Sequence, residues 1–532
     1  MNRIHATKPD EVDIASIPSS DDPLVLENYL TDESTAIIGA AERVFYPTTE
    51  AEVAAVLREC YASGTPVSIS GGGTGLTCSR VPLGGVVLST ERLVAPVAAG
   101  PGAGERTISD GKHTLFLNDE ELYAVAPPAI MLQELSFLLA AENLLYPPNP
   151  TETTAFLGGT VSCNASGGRT FHYGPTRAWV QSLRVVLTCG EVLDIERGQV
   201  FSDADGRFEI VLSDGETLSV QLPSYQAPAV KDASGYFVGA DRTDLIDLFI
   251  GCEGTLGVIT QVQIGLLPLP PLIFAGIGYL PSVAAAIGFV KAAREATRDP
   301  ASPLDALAIE YFDPHALMLL RRTYDRIPEN AGAAIYFEQA ITGDEDEALE
   351  AWVELLEEYG CLEDWSGFSD KDKAEMVEIR HAVPELCHQG VRQAGTHKVA
   401  TDVAVPDAAL DEIMAAYEEI GEASGVEYVL FGHIGNNHLH WDFIPQTAEE
   451  LAASQQAFLA LSRRGVELGG TISAEHGVGK KTYAEDGKIR PYLYLMYGES
   501  GLRETARTKH QLDPKHILNR GNMIPVSYLD EL

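Results

Sequence analysis

Val67-Ser68-Ile69-Ser70-Gly71-Gly72-Gly73-Thr74-Gly75-Leu76 is the stretch around which the chain reads. An apolar strand runs into four glycines, with Ser70 and Thr74 among them. Glycines carry no Cβ, so their backbone N–H groups can converge on a bound anion, and the hydroxyls add donors. A pyrophosphate is the anion this arrangement fits. The spacing is neither a helix-opening GxGxxG nor GxxxxGK[ST], which sets it apart from nicotinamide and P-loop sites. A tight structural turn is the other reading of such a loop.

The chain has 532 residues, enough for two or three domains with proper cores. Its net charge is −40, from 37 basic and 77 acidic side chains, which argues against nucleic acid or an anionic membrane surface as partner. The seven cysteines are scattered with no CxxC, so reduced thiols in a cytoplasm are expected and an iron–sulfur cluster on this chain is not. The first 25 residues hold no apolar core of leader type, and no run reaches membrane-spanning length.

Outward from the loop, residues 1–45 read as a polar arm with a short helix. A helix is predicted after Thr49 and Glu52, at capping-box spacing. Strands are predicted at 85–89, 122–125 and 180–187, a helix at 132–143, and a surface loop at 95–114. A possible hairpin surrounds Ser213-Asp214-Gly215. Small residues crowd Gly158–Gly168 (GGTVSCNASGG), where a backbone could lie flat on a planar ring; a close-packed helix start is the alternative. Beyond Leu267-Pro268-Leu269-Pro270-Pro271 the pattern changes to strands alternating with amphipathic helices: strands 275–280, 306–312 and 333–339, helices 283–297, 314–322 and 344–359.

Ser70–Leu76, Pro147–Thr151, Gly158–Gly168, Tyr173-Gly174 and Glu253–Thr260 together resemble the FAD-binding domain of the vanillyl-alcohol-oxidase-type flavoproteins. Gly432-His433-Ile434-Gly435-Asn436-Asn437-His438-Leu439-His440, Ser473–Gly479 (SAEHGVG) and the closing Asp513–Asn522 narrow the resemblance. They are similar to the branch holding D-lactate dehydrogenases, the glycolate oxidase FAD subunit and D-2-hydroxyglutarate dehydrogenase. The resemblance implies an α+β fold: a two-subdomain FAD-binding domain over 1–272, completed by 505–532, and an α+β cap with an antiparallel sheet over 273–504. It implies FAD contacts from Ser70, Gly71, Gly72, Gly73, Thr74, Gly75, Leu76, Pro147, Thr151, Gly158, Gly159, Ser162, Asn164, Gly168, Tyr173, Gly174, Glu253, Gly254, Gly257, Val258, Ile259 and Asn519. Covalent members usually carry a histidine where Thr74 stands, so non-covalent FAD is expected. A bulky residue at Gly73 is expected to press on the pyrophosphate. Three departures touch the substrate side or the flavin: Asn436-Asn437-His438 replaces the usual Asp-Gly-Asn, Asp442 stands where Asn is common, and Cys163 lies in the flavin-facing stretch.

Two histidines seven apart cannot share an ion from one regular helix or strand. A hairpin turning at Asn436-Asn437 would place His433 opposite His440, with Cβ atoms about 5 Å apart. Glu475 can complete a His₂Glu site with open positions for a divalent ion, zinc or manganese; a hydrogen-bonded histidine pair is the alternative. A metal role for His438 is less favoured. The expected reaction is oxidation of a small 2-hydroxy acid, with His476 as base. Arg380, in a run resembling the branch's substrate-arginine helix, is expected to hold the carboxylate, and Lys398 is the second candidate. Lacking a nicotinamide fingerprint, the chain is expected to pass electrons to a quinone, cytochrome, electron-transfer flavoprotein or iron–sulfur subunit. It would then be cytoplasmic, at a membrane only peripherally through that partner, and a homodimer is compatible. Rival readings are a covalent-FAD alcohol or aldonolactone oxidase, a metal hydrolase built on the same histidines, and a silent flavin-binding module.

Overall fold

The computed structural model describes residues 2–531. The glycine loop leaves a small four-stranded sheet, ordered Ser19–Ser20, Arg43–Phe45, Val86–Ser89, Val67–Ser70, in which the last three strands are parallel. Parallel neighbours need a crossover. Helix Glu50–Ser63 supplies it, capped by the Thr49 hydroxyl on the Glu52 amide and burying Val53, Val56, Leu57 and Cys60 on the sheet. The free edge of Val67–Ser70 is closed from the far end of the chain: Leu518 bridges Val67, and Asn519 Oδ1 accepts the Ile69 N–H.

A six-stranded antiparallel sheet follows, ordered Val192–Glu196, Val180–Val186, Val258–Gly265, Tyr123–Ala126, Thr114–Asn118, Arg106–Ser109. Arg106–Ser109 corrects the expected 95–114 surface loop. Ile108 alone of its four side chains is buried, so the strand shows little apolar alternation. The possible hairpin at 213–215 is present, Arg207–Val211 pairing with Thr217–Gln221. The polar arm also contributes a strand, Arg3–His5, parallel to Arg207–Val211.

The second half is built on an eight-stranded antiparallel sheet: Glu363–Gly367, Leu272–Leu280, Ala333–Ile341, Ala306–Phe312, Tyr428–Gly432, His438–Phe443 and Val399–Ala400, with Val403–Ala404 also on His438–Phe443. Helices Val283–Arg298, Glu347–Glu358, Leu410–Ser424 and Ala448–Glu467 cover one face. Helices Pro314–Leu320 and Asp370–Ala394 cover part of the other. Side chains alternate along a strand. In His438–Phe443, Leu439, Trp441 and Phe443 therefore fall in the four-helix core, while His438, His440 and Asp442 take the opposite face. That face is turned to the Gly167–Tyr173 segment of the first half, where Arg169 Nε donates to Glu338 Oε2 at 2.7 Å. Helix Leu493–Leu512 returns the chain, placing Leu502, Ala506 and Leu512 in the first core.

Candidate active site

The histidine hairpin forms in a different register from the expected one. Phe431, not His433, lies opposite His440. The turn is longer than two residues because Ile434–Asn436 forms a 3-10 turn and Asn437 adopts φ 54°. Burial of Ile434 in the four-helix core holds that turn, and Arg294 binds both the Ile434 carbonyl and the Asn437 side chain. His433 still reaches the site, from the strand end, its ring 5.1 Å from that of His440.

Glu475 sits at the centre. Its Oε1 lies 3.5 Å from His433 Nε2, 3.6 Å from His440 Nε2 and 3.7 Å from His476 Nε2. Ligands about 2.1 Å from a tetrahedral ion stand roughly 3.4 Å apart, so the spacing from Glu475 to His433 and His440 fits a divalent metal. His433 Nε2 is buried without a hydrogen-bond partner, as an atom meant for an ion would be. Glu475 Oε2 is engaged elsewhere, accepting from Lys231 Nζ at 2.6 Å and the Ser166 hydroxyl at 3.4 Å. His438 shares the cluster, but both of its nitrogens have partners: Nε2 faces Asp402 Oδ1 at 2.7 Å, and Nδ1 faces Lys231 Nζ at 2.9 Å. It is nonetheless one of four side chains, with His433, His440 and Glu475, whose ligand atoms lie within 4.8 Å of one another.

The rings of His433 and His476 are each oriented by a carboxylate. Glu310 Oε1 lies 2.7 Å from His433 Nδ1, which directs the other nitrogen at Glu475. Burial alone would raise the Glu310 carboxyl; the Arg380 and His433 charges outweigh it and hold it at about 2. Asp402 Oδ1 lies 3.3 Å from His476 Nδ1, leaving Nε2 toward the cluster. Asp402 Oδ2 accepts from the Ser473 hydroxyl and the Glu475 and His476 amides, pinning the segment that carries them. Burial again opposes ionisation, but His476 and His438 hold the Asp402 carboxyl well below the usual range. Burial, then the neighbouring His438 and His433, push His440 well below its ordinary value, which favours the neutral ring.

Arg380 stands at the edge of this group. Its Nε donates to Glu310 Oε2 at 3.1 Å, and its Nη2 lies 3.5 Å from Thr151 Oγ1. Lys398 Nζ donates to Asp442 Oδ2 at 2.8 Å. Lys231, Asp402, Glu310 and Arg80 were not singled out from sequence. A lone glutamate inside the apolar strand Ala306–Phe312 is the signal that marks Glu310. Lys231 follows an irregular stretch and offers no such pattern.

The glycine positions divide into two kinds. Among the described residues, no backbone N–H from Gly71 to Leu76 has a hydrogen-bond partner, and the Thr74 hydroxyl has none either. A Cβ on Gly159 would meet open space, and one on Gly71 would only graze Gly159 and Phe156 at 4.0 Å. These groups suit a bound pyrophosphate. Arg80 adds a cation there: its Nη1 is 3.3 Å from Ser70 Oγ, while Thr31 and Asn28 carbonyls hold the rest of the guanidinium. A Cβ on Gly73 would meet Arg80 first, which changes the expected consequence of filling that position. At other glycines an added Cβ would meet protein. Gly158 faces Pro128, Gly168 faces Glu310, Gly254 faces Asn519 and Gly257 faces Val185. The Glu253 carboxylate is consumed by Ser79, Val478 and Gly479. Asn519 joins Ile69 to the Glu253 carbonyl, and Asn164 joins Arg177 to the Asp232 carbonyl. Ser162 bonds its own helix at Gly158. Val258 and Ile259 open the strand Val258–Gly265. Tyr173 packs edge-on against Trp179, Gly174 ends its helix at φ 78°, and Pro147 is buried.

Two family descriptions match the chain: "FAD binding domain" over 41–99 and 107–196, and "FAD linked oxidases, C-terminal domain" over 279–523. The D-lactate dehydrogenase of Archaeoglobus fulgidus is 26% identical over 507 residues, covering 93% of this chain and 95% of that one. The glycolate oxidase subunit GlcD of Bacillus subtilis is 25% identical, covering 93% and 91%. The D-2-hydroxyglutarate dehydrogenase of Xanthomonas citri pv. viticola is 27% identical, covering 94% and 93%. Among solved structures, alkyldihydroxyacetonephosphate synthase superposes with a TM-score of 0.61 at 14% identity, over 96% of this chain and 88% of that one. No described helix is long and apolar enough to cross a membrane.

Proposed function

The chain belongs to the FAD-linked oxidase family, and from that premise we propose that it oxidises a D-2-hydroxy acid to the 2-oxo acid with non-covalent FAD and a divalent metal. The observation that carries the reading is a contact between the two constellations: Ser166, in the small-residue stretch of the FAD-binding half, donates to Glu475 at the centre of the histidine cluster. That contact supports a flavin seated beside a metal. The relatives named for lactate, glycolate and 2-hydroxyglutarate favour a 2-hydroxy acid over other alcohols.

His433, His440 and Glu475 would hold the ion, zinc or manganese. When bound, FAD supplies the acceptor for the carbinol hydride and the ion supplies Lewis acidity at the hydroxyl oxygen. Arg380 receives the substrate carboxylate through its remaining N–H groups. His476 takes the hydroxyl proton at Nε2, with Asp402 steadying the imidazolium that results. Lys231 balances the charge of Glu475 and fixes which of its oxygens faces the histidines. The electrons go on to an external acceptor of the quinone, cytochrome, electron-transfer flavoprotein or iron–sulfur type, because the chain has no nicotinamide fingerprint.

Anaerobic mixing of the yellow protein with D- and L-2-hydroxy acids tests this. D-acids are expected to bleach the flavin. A flavin unmoved by every acid, but bleached by a simple alcohol or lactone, would replace the reading. Acid precipitation is expected to leave flavin in the supernatant; flavin in the pellet would refute non-covalent binding.

A further inference from the structure

The substrate side of the cluster carries a charge pattern that bears on which 2-hydroxy acid fits. His438, His440 and Asp442 share one face of their strand, and Asp442 lies about 7 Å beyond His440 by the rise of two residues. Helix Asp370–Ala394 covers this face, packing Ile379, Val383 and Cys387 with Val429, Phe431 and Ile444. The same helix brings Arg380 to the near end. Lys398 approaches the far end, and its ammonium lies 2.8 Å from Asp442, which is 1% exposed.

Four cations on this face already meet a carboxylate: Arg169 with Glu338, Lys231 with Glu475, Arg380 with Glu310 and Lys398 with Asp442. Lys481 lines a small adjoining cavity together with Asp402, Ser473, Phe458 and Tyr492. The pairs differ in what they leave over. Glu310 is shared between Arg380 and His433, so the guanidinium keeps donors for one incoming carboxylate. Among the described residues, Lys398 is the one hydrogen-bond partner of the Asp442 carboxylate. A second carboxylate drawn toward Lys398 would arrive against a buried like charge, which water cannot screen there.

We propose that Asp442, by neutralising Lys398, restricts the site to 2-hydroxy acids bearing a single carboxylate. A 2-hydroxydicarboxylate of four or five carbons, anchored at Arg380, would direct its second carboxylate along the face toward the Lys398–Asp442 pair. This rests on the hydroxy-acid reading above and narrows it.

The test compares kcat/KM of the FAD- and metal-loaded protein for D-lactate and D-2-hydroxyglutarate, read by dye reduction. The wild type is expected to prefer lactate by about 100-fold or more, the scale on which an unfavourably placed charge counts. Asp442→Asn frees Lys398 and is expected to shift the hydroxyglutarate-to-lactate ratio upward at least about tenfold. Adding Lys398→Met should remove that gain, because the shift needs the ammonium and not merely a smaller charge. Comparable use of both acids by the wild type would overturn the proposal, as would an unchanged ratio in a folded, flavin-loaded Asp442→Asn. If that variant does not fold, the wild-type ratio decides, with Asp442→Ser as the second probe. Failure of both acids to reduce the flavin overturns the hydroxy-acid reading itself, a result distinct from loss of discrimination.

Discussion

The glycine loop Ser70–Leu76 and the cluster around Glu475, the proposed sites of pyrophosphate and metal, are built by opposite means. The loop offers backbone N–H groups without partners and almost no side-chain bulk. The cluster offers side chains from distant segments, nearly every one already fixed by a neighbour, with His433 Nε2 left over. A site made of backbone needs little beyond the right φ angles and empty space. A site made of buried charges has to be balanced group by group, since an unpaired charge in a dry interior is costly. The two should therefore fail differently when altered.

The largest separation is expected from His433→Ala. If His433 holds the ion as proposed, bound metal and turnover should both be lost while the flavin spectrum stays nearly as it was. Loss of flavin from this variant would show that the two regions are not independent. Next comes His476→Ala, expected to retain metal and flavin and to lower kcat by about 10²–10⁴-fold. Retained kcat would move the base elsewhere.

Arg380→Lys sharpens the comparison at the boundary between the regions. An ammonium cannot reproduce the planar fork, so kcat/KM should fall roughly 30- to 1000-fold. A change below about threefold would assign the carboxylate to another residue. Glu310→Gln acts through His433: metal affinity, measured by competition with a chelator, should drop about 10–100-fold, the usual scale for an orienting partner of a ligand. On the glycine side the effects are smallest and most discriminating. Gly159→Ala should leave thermal stability unchanged and weaken FAD alone. Gly257→Ala, whose Cβ would run into Val185, should destabilise the fold by about 1–3 kcal/mol. Equal behaviour of the two would erase the division between glycines kept for a ligand and glycines kept for packing.

That division also explains what was legible in the sequence. Glycine runs, and the alternation of His438, His440 and Asp442 with Leu439, Trp441 and Phe443, are local patterns. So is the strand–helix alternation after Pro271, and strands such as Ala306–Phe312 fall where their residues predict. The hairpin register was not legible. Two residues were displaced because Ile434 prefers the core and Arg294, about 140 positions away, caps the turn. Lys231, Asp402 and Glu310 are equally remote from the residues they serve, and no spacing rule links them. Around Gly254 and Gly257 the lack of bulk also serves packing, since an added Cβ would meet Asn519 or Val185, neighbours that no local pattern reveals.

The most direct test of metal-assisted hydroxy-acid oxidation beside a flavin is anaerobic titration of one preparation with D-lactate before and after chelation. The account predicts flavin bleaching in the metal-loaded protein. Bleaching should be absent after chelation, although the flavin remains bound, and should return with zinc or manganese. Full bleaching by protein that elemental analysis shows to hold no divalent metal would contradict it.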